Sequence, residues 1–217
     1  MKKPRARHQV QRIKERAHYD RESAYAILDA GFLAHVAFVV DAQPFVIPML
    51  YARSNDALLL HGSIASRLIG RLGEGVEACL SMTLVDGLVL ARSHFHHSVN
   101  YRSVVAFGRA TILDEPAQKT AALAHFVDAM LPGRAAESRA PDKNELAATA
   151  VLHFSIVDIS AKIRSGGPKD DKADLDLPHW AGVVPARLRY GTPLAAEDCA
   201  GALPASVRNL LAAEHGA

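Results

Sequence analysis

The chain has 217 residues, of which 49% are hydrophobic and 22% charged, and its formal net charge is +2. That length allows one substantial core, and the balance is that of an ordinary soluble globular protein. The longest apolar runs, such as Leu33–Val40 with His35 inside it, are too short for a membrane span, and two cysteines, Cys79 and Cys199, make no disulfide framework. The cytoplasm is the expected compartment.

Charge is unevenly placed. Residues 1–24 carry eight Lys/Arg against three acids, and the remainder carries seventeen against twenty. This basic arm lacks the apolar segment of a secretory signal. It reads as a tail for nucleic acid or an acidic membrane, or as a helix, solvated or packed through Val10, Ile13 and Ala17. The helix is the expectation, because short basic arms are unspecific. Residues 23–30 then predict a short helix behind a Ser23 cap, stopped by Gly31.

Strand signals follow at Phe32–Val40, Pro44–Arg53 and Ala57–His61, with turn-forming centres in VVDAQPF and ARSNDALL. Ala65–Leu72 predicts a short helix ended by Gly73 and Gly75. Val76–Thr83 alternates with period two, and Leu88–Arg92 and Arg102–Ile112 continue the β pattern. Pro116–Leu131 predicts a longer helix with an apolar stripe of Ala121, Leu123, Ala124, Phe126, Val127 and Met130. Residues 132–148 read as a surface loop, Val151–Val157 as a late strand, Gly166–Asp176 as exposed chain, and Pro204–Glu214 as a short amphipathic helix. The sum is a mainly β barrel or sandwich. Three parts are expected: the arm 1–24, a body 25–165 carrying the inserted helix 116–131, and an extension 166–217 that packs on the barrel or on a partner.

Four places could carry chemistry. In Leu60–Leu72, a strand ends at His61, Gly62 permits a turn, and Ser63, Ser66 and Arg67 gather at a helix start. Two hydroxyls, a guanidinium and free N–H groups suit a phosphate monoester, although Ser63 and Ser66 also read as plain caps. No Walker loop or GxGxxG is present. In Arg92–Ser103, cationic and hydrogen-bonding groups (His94, His96, His97, Asn100, Arg102) are wedged between two core strands, where desolvation is costly without a partner. A metal is the weaker reading, since His97 would point away from His94 and His96 and no Cys lies near. Hydrogen bonding to a ligand or across a subunit contact is the stronger one. Ser160–Arg164 reads as a basic turn just past the late strand, offering Lys162 and Arg164 to an anion or to solvent. Trp180 stacks on a ligand or packs. No catalytic triad, carboxylate pair or activated cysteine emerges.

IPMLYARSNDALLLHGSIASRLIGRL, followed by DGLVLARSHFHHSVNYRSVVAFGRA, the PGR at Pro132–Arg134, SAKIR and WAGVVP, resembles the flavin-nucleotide-binding proteins of the pyridoxamine 5′-phosphate oxidase-like superfamily. The branch near the nitroimidazole-resistance proteins is the most similar, from about Tyr19 to about Pro185. The resemblance implies a six-stranded antiparallel split barrel with flanking helices, forming a homodimer with FMN, or alternatively FAD, in two clefts between subunits. It implies that Ser66 and Arg67 hold the flavin phosphate and that Ile47, Pro48, Met49 and Leu50 line the ring. Arg102 and Ser103 would reach the ring from the other subunit, with His61, Ser63, Asn100 and Tyr101 as neighbours. Such a site serves a flavin-dependent oxidoreductase of unknown substrate, or a non-catalytic module carrying flavin or haem, for which the histidines at 94–97 are available. Vitamin B6 oxidation is disfavoured: Leu68 stands where those enzymes have Lys, and the C-terminal segment does not align with their basic one. No resident metal is implied. A nucleic-acid regulator ranks last, for lack of a recognition helix.

Overall fold

A computed structural model describes residues 6–215 of the chain. In chain order it contains β1 (Ala17–His18), α1 (Arg21–Asp29), β2 (Leu33–Val40), β3 (Gln43–Ser54), β4 (Ala57–Ser63), α2 (Arg67–Gly73) and β5 (Glu77–Leu90). Then come β6 (Ser98–Ile112), α3 (Pro116–Met130), α4 (Lys143–Ala148), β7 (Thr149–Arg164), β8 (Gly182–Pro185) and α5 (Ala205–His215). Six strands pair antiparallel in the order β7-β4-β3-β2-β5-β6, and β6 returns to β7, so the sheet closes as the expected six-stranded barrel. The short strands are additions: β1 lies along β7 and β8 along β5.

Alternation decides what is inside. Val36, Phe38, Leu58, Leu60, Leu80, Val104, Leu152 and Phe154 point inward and are buried. Helix α1 closes one side of this core with Ala24, Ile27 and Leu28, and the buried Tyr51 hydroxyl donates to the Leu28 carbonyl at 2.6 Å. Burial pushes that phenol's pKa up, so it remains a donor. A second, smaller core lies outside the barrel wall, where Ala122 and Phe126 of α3 cover Ala52, Leu59 and Val151.

Several local expectations change. Among the described residues of the arm, a 3-10 turn at Lys14–Arg16 is the one helical turn before β1, and Arg7 reaches across to Asp158 at 2.8 Å and to Glu77. Helix α1 is capped by Asp20, which accepts from the Ser23 N–H, rather than by Ser23. Val76–Thr83 and Leu88–Arg92 are one strand, because Asp86 marks a bulge in β5 instead of a turn. The late strand runs on to Arg164, so Ser160–Arg164 is sheet with Ser160 and Arg164 buried, and not a basic turn. Residues 132–148 contain α4, held by a capping box between Asp142 and Glu145. Of the expected α3 stripe only Phe126 is fully buried, joined by Ala122 from outside it, which leaves much of the stripe open.

Candidate functional site

The corner after β4 is built by strand alternation. Leu58 and Leu60 point into the barrel, which turns Leu59, His61 and Ser63 to the outer side. The chain turns tightly there: Ser66 N–H donates to the Ser63 carbonyl at 2.9 Å and Ala65 N–H to Ser63 Oγ at 3.2 Å. Helix α2 is then pinned by buried Leu68, Ile69 and Leu72. Gly62 permits this approach, since a Cβ there would lie 2.9 Å from Ile69 Cγ1. The exposed side of the turn is left with polar groups. Ser66 makes no side-chain capping bond. The Arg67 guanidinium stacks over Phe45 at 4.5 Å and has no ion pair or hydrogen bond among the described residues. At seven residues α2 is short, so any anion affinity rests on these side chains rather than on a long helix dipole.

The β3 segment divides between two faces. Ile47 and Met49 pack against the barrel core, whereas Pro48 is exposed and Leu50 packs on the α3 cluster. On the outer face Leu33, His35 and Ala37 of β2 stand opposite Leu50, Pro48 and Val46. This face is apolar and open: Val46 is 63% exposed, Val39 58% and Leu33 49%.

The Arg92–Ser103 stretch is arranged differently. His94–His96 forms a 3-10 turn, His97 Nδ1 lies 2.8 Å from the Ser93 carbonyl, and His96 Nε2 lies 3.3 Å from Asp171. Among the described residues no group of three or more His, Cys, Asp or Glu is placed to hold a metal. Asp170 accepts from the Arg92 N–H at 2.9 Å and from its guanidinium at 2.7 Å. These bonds, the backbone one first, hold the Asp170 carboxyl below its ordinary pKa. Asn100 donates to the Gly166 carbonyl at 3.1 Å and accepts from buried Arg164, whose guanidinium also bonds the Gly167 carbonyl at 3.2 Å. Ser103 Oγ donates to the Lys162 carbonyl at 3.3 Å, and Tyr101 lies opposite Arg164 in the sheet. Arg102 grips Asp86 through Nε at 3.0 Å and Nη2 at 2.7 Å, which leaves Nη1 without a hydrogen bond among the described residues. It lines an open cleft of about 510 Å³ with Thr83, Leu188 and two further arginines, Arg187 and Arg189.

The predicted site residues therefore form two groups. His61, Ser63, Ser66 and Arg67 share the β4–α2 corner; Asn100, Tyr101, Arg102 and Ser103 share the start of β6. Phe45, under Arg67, pairs with Phe38, then Ala78, then Gly108, and Gly108 is five residues along β6 from Ser103. At ~3.4 Å per residue that is an offset of roughly 17 Å along the strand direction alone, with three strand-to-strand steps across the sheet in addition.

One further cavity escaped the sequence reading. Helix α3, α4 and the segment between them enclose about 380 Å³ against the outer face of β4. Leu123, Phe126, Val127 and Met130 form its apolar wall, His61 its floor, and Arg139 with Glu145 its rim. The His61 ring meets Phe126 edge-on at 4.5 Å and makes no hydrogen bond among the described residues. Burial lowers its pKa, which keeps the imidazole neutral. The available signal was the outward position of His61 beside Leu59, together with an α3 stripe too wide for the small cluster it covers.

Comparison with known proteins adds a family. The family model described as pyridoxamine 5′-phosphate oxidase matches residues 20–163. The chain belongs to that family. Among solved structures, this pyridoxamine 5′-phosphate oxidase family member is similar to the flavocytochrome Anf3 from Azotobacter vinelandii, with 38% identity, 94% of this chain and 95% of that one covered, and a TM-score of 0.87. It is similar to an FAD- and haem-binding protein from Mycobacterium smegmatis, with 40% identity, coverage of 90% and 97%, and a TM-score of 0.86. A 5-nitroimidazole antibiotic resistance candidate from Bacteroides thetaiotaomicron shares the fold, at 18% identity, coverage of 68% and 86%, and a TM-score of 0.58. No curated protein matches the chain. No helix of the described residues is long and apolar enough to cross a membrane.

Proposed function

We propose that the protein binds a flavin nucleotide, FMN or FAD, in a cleft between two copies of the chain and uses it as an oxidoreductase. The single observation that carries this reading is the outward-facing Arg67 guanidinium beside the uncapped Ser66 hydroxyl, a phosphate-type anchor at the position the family resemblance assigns to one. Two relatives named for flavin, at 38% and 40% identity over nine-tenths or more of the chain, support it.

The rest of the proposed site follows from the same geometry. The open apolar face of β2 and β3, with Pro48 and Leu50 on it and the Ile47 and Met49 backbone behind them, suits a second copy and a ring clamped between the two. The offset of roughly 17 Å along the strands between the two polar groups of one protomer is an argument for assembling each site from both chains. Arg67, Ser66 and Ser63 of one copy would hold the phosphate. Arg102 through its remaining Nη1, with Ser103 beside it, would approach the ring from the other copy. A bound flavin supplies one- or two-electron transfer; a guanidinium near its pyrimidine edge stabilises the charge that develops on reduction. Free Cys79 and Cys199 are compatible with a reducing, cytoplasmic setting.

A second prosthetic group is favoured by a specific feature. Both relatives are also named as a flavocytochrome or a haem binder, and this chain holds a neutral, unbonded imidazole on the floor of an apolar cavity. The donor type and walls fit haem.

The test is titration of the purified chain with FMN and with FAD, with mass measured in solution and reduction by NAD(P)H followed at the flavin bands. Stoichiometric uptake by a dimer is expected. A monomer that takes up neither nucleotide overturns the proposal, and uptake without reduction by any donor marks a carrier rather than an oxidoreductase.

A further inference from the structure

We infer that His61 is an axial iron ligand of a non-covalently held haem seated in the cavity between β4, α3 and α4. The inference rests on the haem reading above and moves His61 from a flavin neighbour to a separate site.

Three features converge on that side chain. The ring is held in one plane by its edge-on contact with Phe126 at 4.5 Å, and β4 is fixed on both flanks by β3 and β7. A ligand that needs no reorientation costs little to engage. Its nitrogens are unbonded among the described residues, and burial favours the neutral form, so a lone pair is available without loss of a proton. The cavity it faces, at about 380 Å³, is walled by half-buried Leu123 and Val127 and by exposed Met130, an apolar edge of α3 beside the cluster that Leu123 and Phe126 help to cover. Small-molecule sites span about 300–1,000 Å³ and are mostly apolar, as this one is.

The alternatives on the same molecule are poorer. His96 and His97 have partners in Asp171 and the Ser93 carbonyl, and the turn that carries them is exposed, Phe95 being 90% accessible. Covalent attachment is excluded because the chain has two cysteines, Cys79 and Cys199, and no Cys-x-x-Cys-His. At the cavity rim Arg139 grips Glu145 at 2.8 Å and 3.0 Å, which holds that carboxyl down to a pKa of about 2 and leaves the mouth almost neutral. The propionates of a haem inserted edge-first would lie at that mouth, in solvent.

The experiment is titration of the full chain with ferric haem, read by the Soret band and by the reduced low-spin bands, for wild type, His61→Ala, His61→Gln and His96→Ala. Circular dichroism and the melting temperature establish that each variant is folded. Wild type and His96→Ala are expected to bind alike. Both His61 variants are expected to lose at least tenfold in haem affinity while keeping the wild-type circular dichroism spectrum, and added imidazole should restore the His61→Ala spectrum. If wild type takes up haem and the His61 variants match it in band position and affinity, the ligand assignment is overturned and the haem reading stands. Should the wild type take up no haem at all, both fall together.

Discussion

At the start of α2, the Ser66 side chain makes no capping bond and Arg67 only stacks on Phe45, whereas between Arg92 and Ser103 four polar side chains are bonded within the protomer. Arg92 is bound to Asp170, Asn100 to Arg164 and Gly166, Arg102 to Asp86, and Ser103 to Lys162. Both regions look like ligand sites when read as strings of residue types. The difference is geometric: the second stretch finds its partners on β5, on β7 and in the chain just after β7, while Arg67 only stacks on Phe45 and has no hydrogen bond or ion pair among the described residues. Unsatisfied exposed polar groups point to function, and satisfied buried ones to the architecture that supports it.

The largest effect should come from the surface that brings the two regions of different copies together. Val46 is 63% exposed in the middle of the β2–β3 face. If a second copy covers it, Val46→Glu buries an unpaired charge worth several kcal/mol and weakens the dimer by roughly a hundredfold or more. Sedimentation should show a monomer, and flavin affinity should fall with it. An undisturbed dimer would place the interface elsewhere and detach β6 from the proposed flavin site.

Arg67→Ala tests the open side of the comparison directly. Loss of a charge-assisted contact of about 1.5–3 kcal/mol should weaken flavin binding by roughly 10- to 150-fold. The melting temperature should stay put, since Arg67 has no hydrogen-bonded partner in the fold to lose. Equal flavin affinity in wild type and variant would remove the phosphate anchor.

Asn100→Ala should do the reverse. Arg164 is only 7% exposed, and its Nε already lacks a hydrogen-bond partner. Removing the Asn100 acceptor leaves more of that guanidinium unsatisfied, at a cost of about 1–3 kcal/mol in stability by denaturant unfolding. Flavin affinity of the folded variant should change less than twofold. A variant of unchanged stability that had lost flavin would mean that Asn100 belongs to the site after all.

How far these regions were legible in the sequence follows from the range of the interactions. Val76–Thr83 carries its period-two signal locally, and the hairpin turns that join β2 to β3 and β3 to β4 are two residues long. The Asp142–Glu145 capping box was equally local and was passed over because the stretch looked loop-like. Asp170 sits 78 residues from Arg92, and Gly166 66 residues from Asn100, so no spacing rule could pair them. Asp86 illustrates the cost: it falls between two segments read as separate strands, and it is a bulge in one strand that delivers its carboxylate to Arg102. Ser66 and Arg67 were singled out from local residue types, but their freedom from internal partners emerges only in three dimensions. The β4–α3–α4 cavity was hidden because Leu123 and Val127 read as core on an amphipathic helix, and a half-buried residue that also walls an open space gives the same sequence pattern.

The smallest effect belongs to Arg102, the residue that stands between the two classes. Its pair with Asp86 is more than one-third exposed on both sides, at 39% and 35%, so Arg102→Gln should alter stability by less than about 1 kcal/mol. Its unused Nη1 is what the flavin reading requires. With Asp86 offsetting much of the cation's field, removal of Arg102 should make the bound flavin harder to reduce by no more than roughly 30 mV, about 1.4 kcal/mol over two electrons. Asp86→Asn should shift the potential the opposite way, because it exposes the guanidinium charge that the carboxylate now offsets. Potentials measured on the two variants decide the matter by sign: opposite shifts place Arg102 beside the ring. No shift in either, with a clear drop in stability, would assign Arg102 to the same structural role as Asn100 and Arg164.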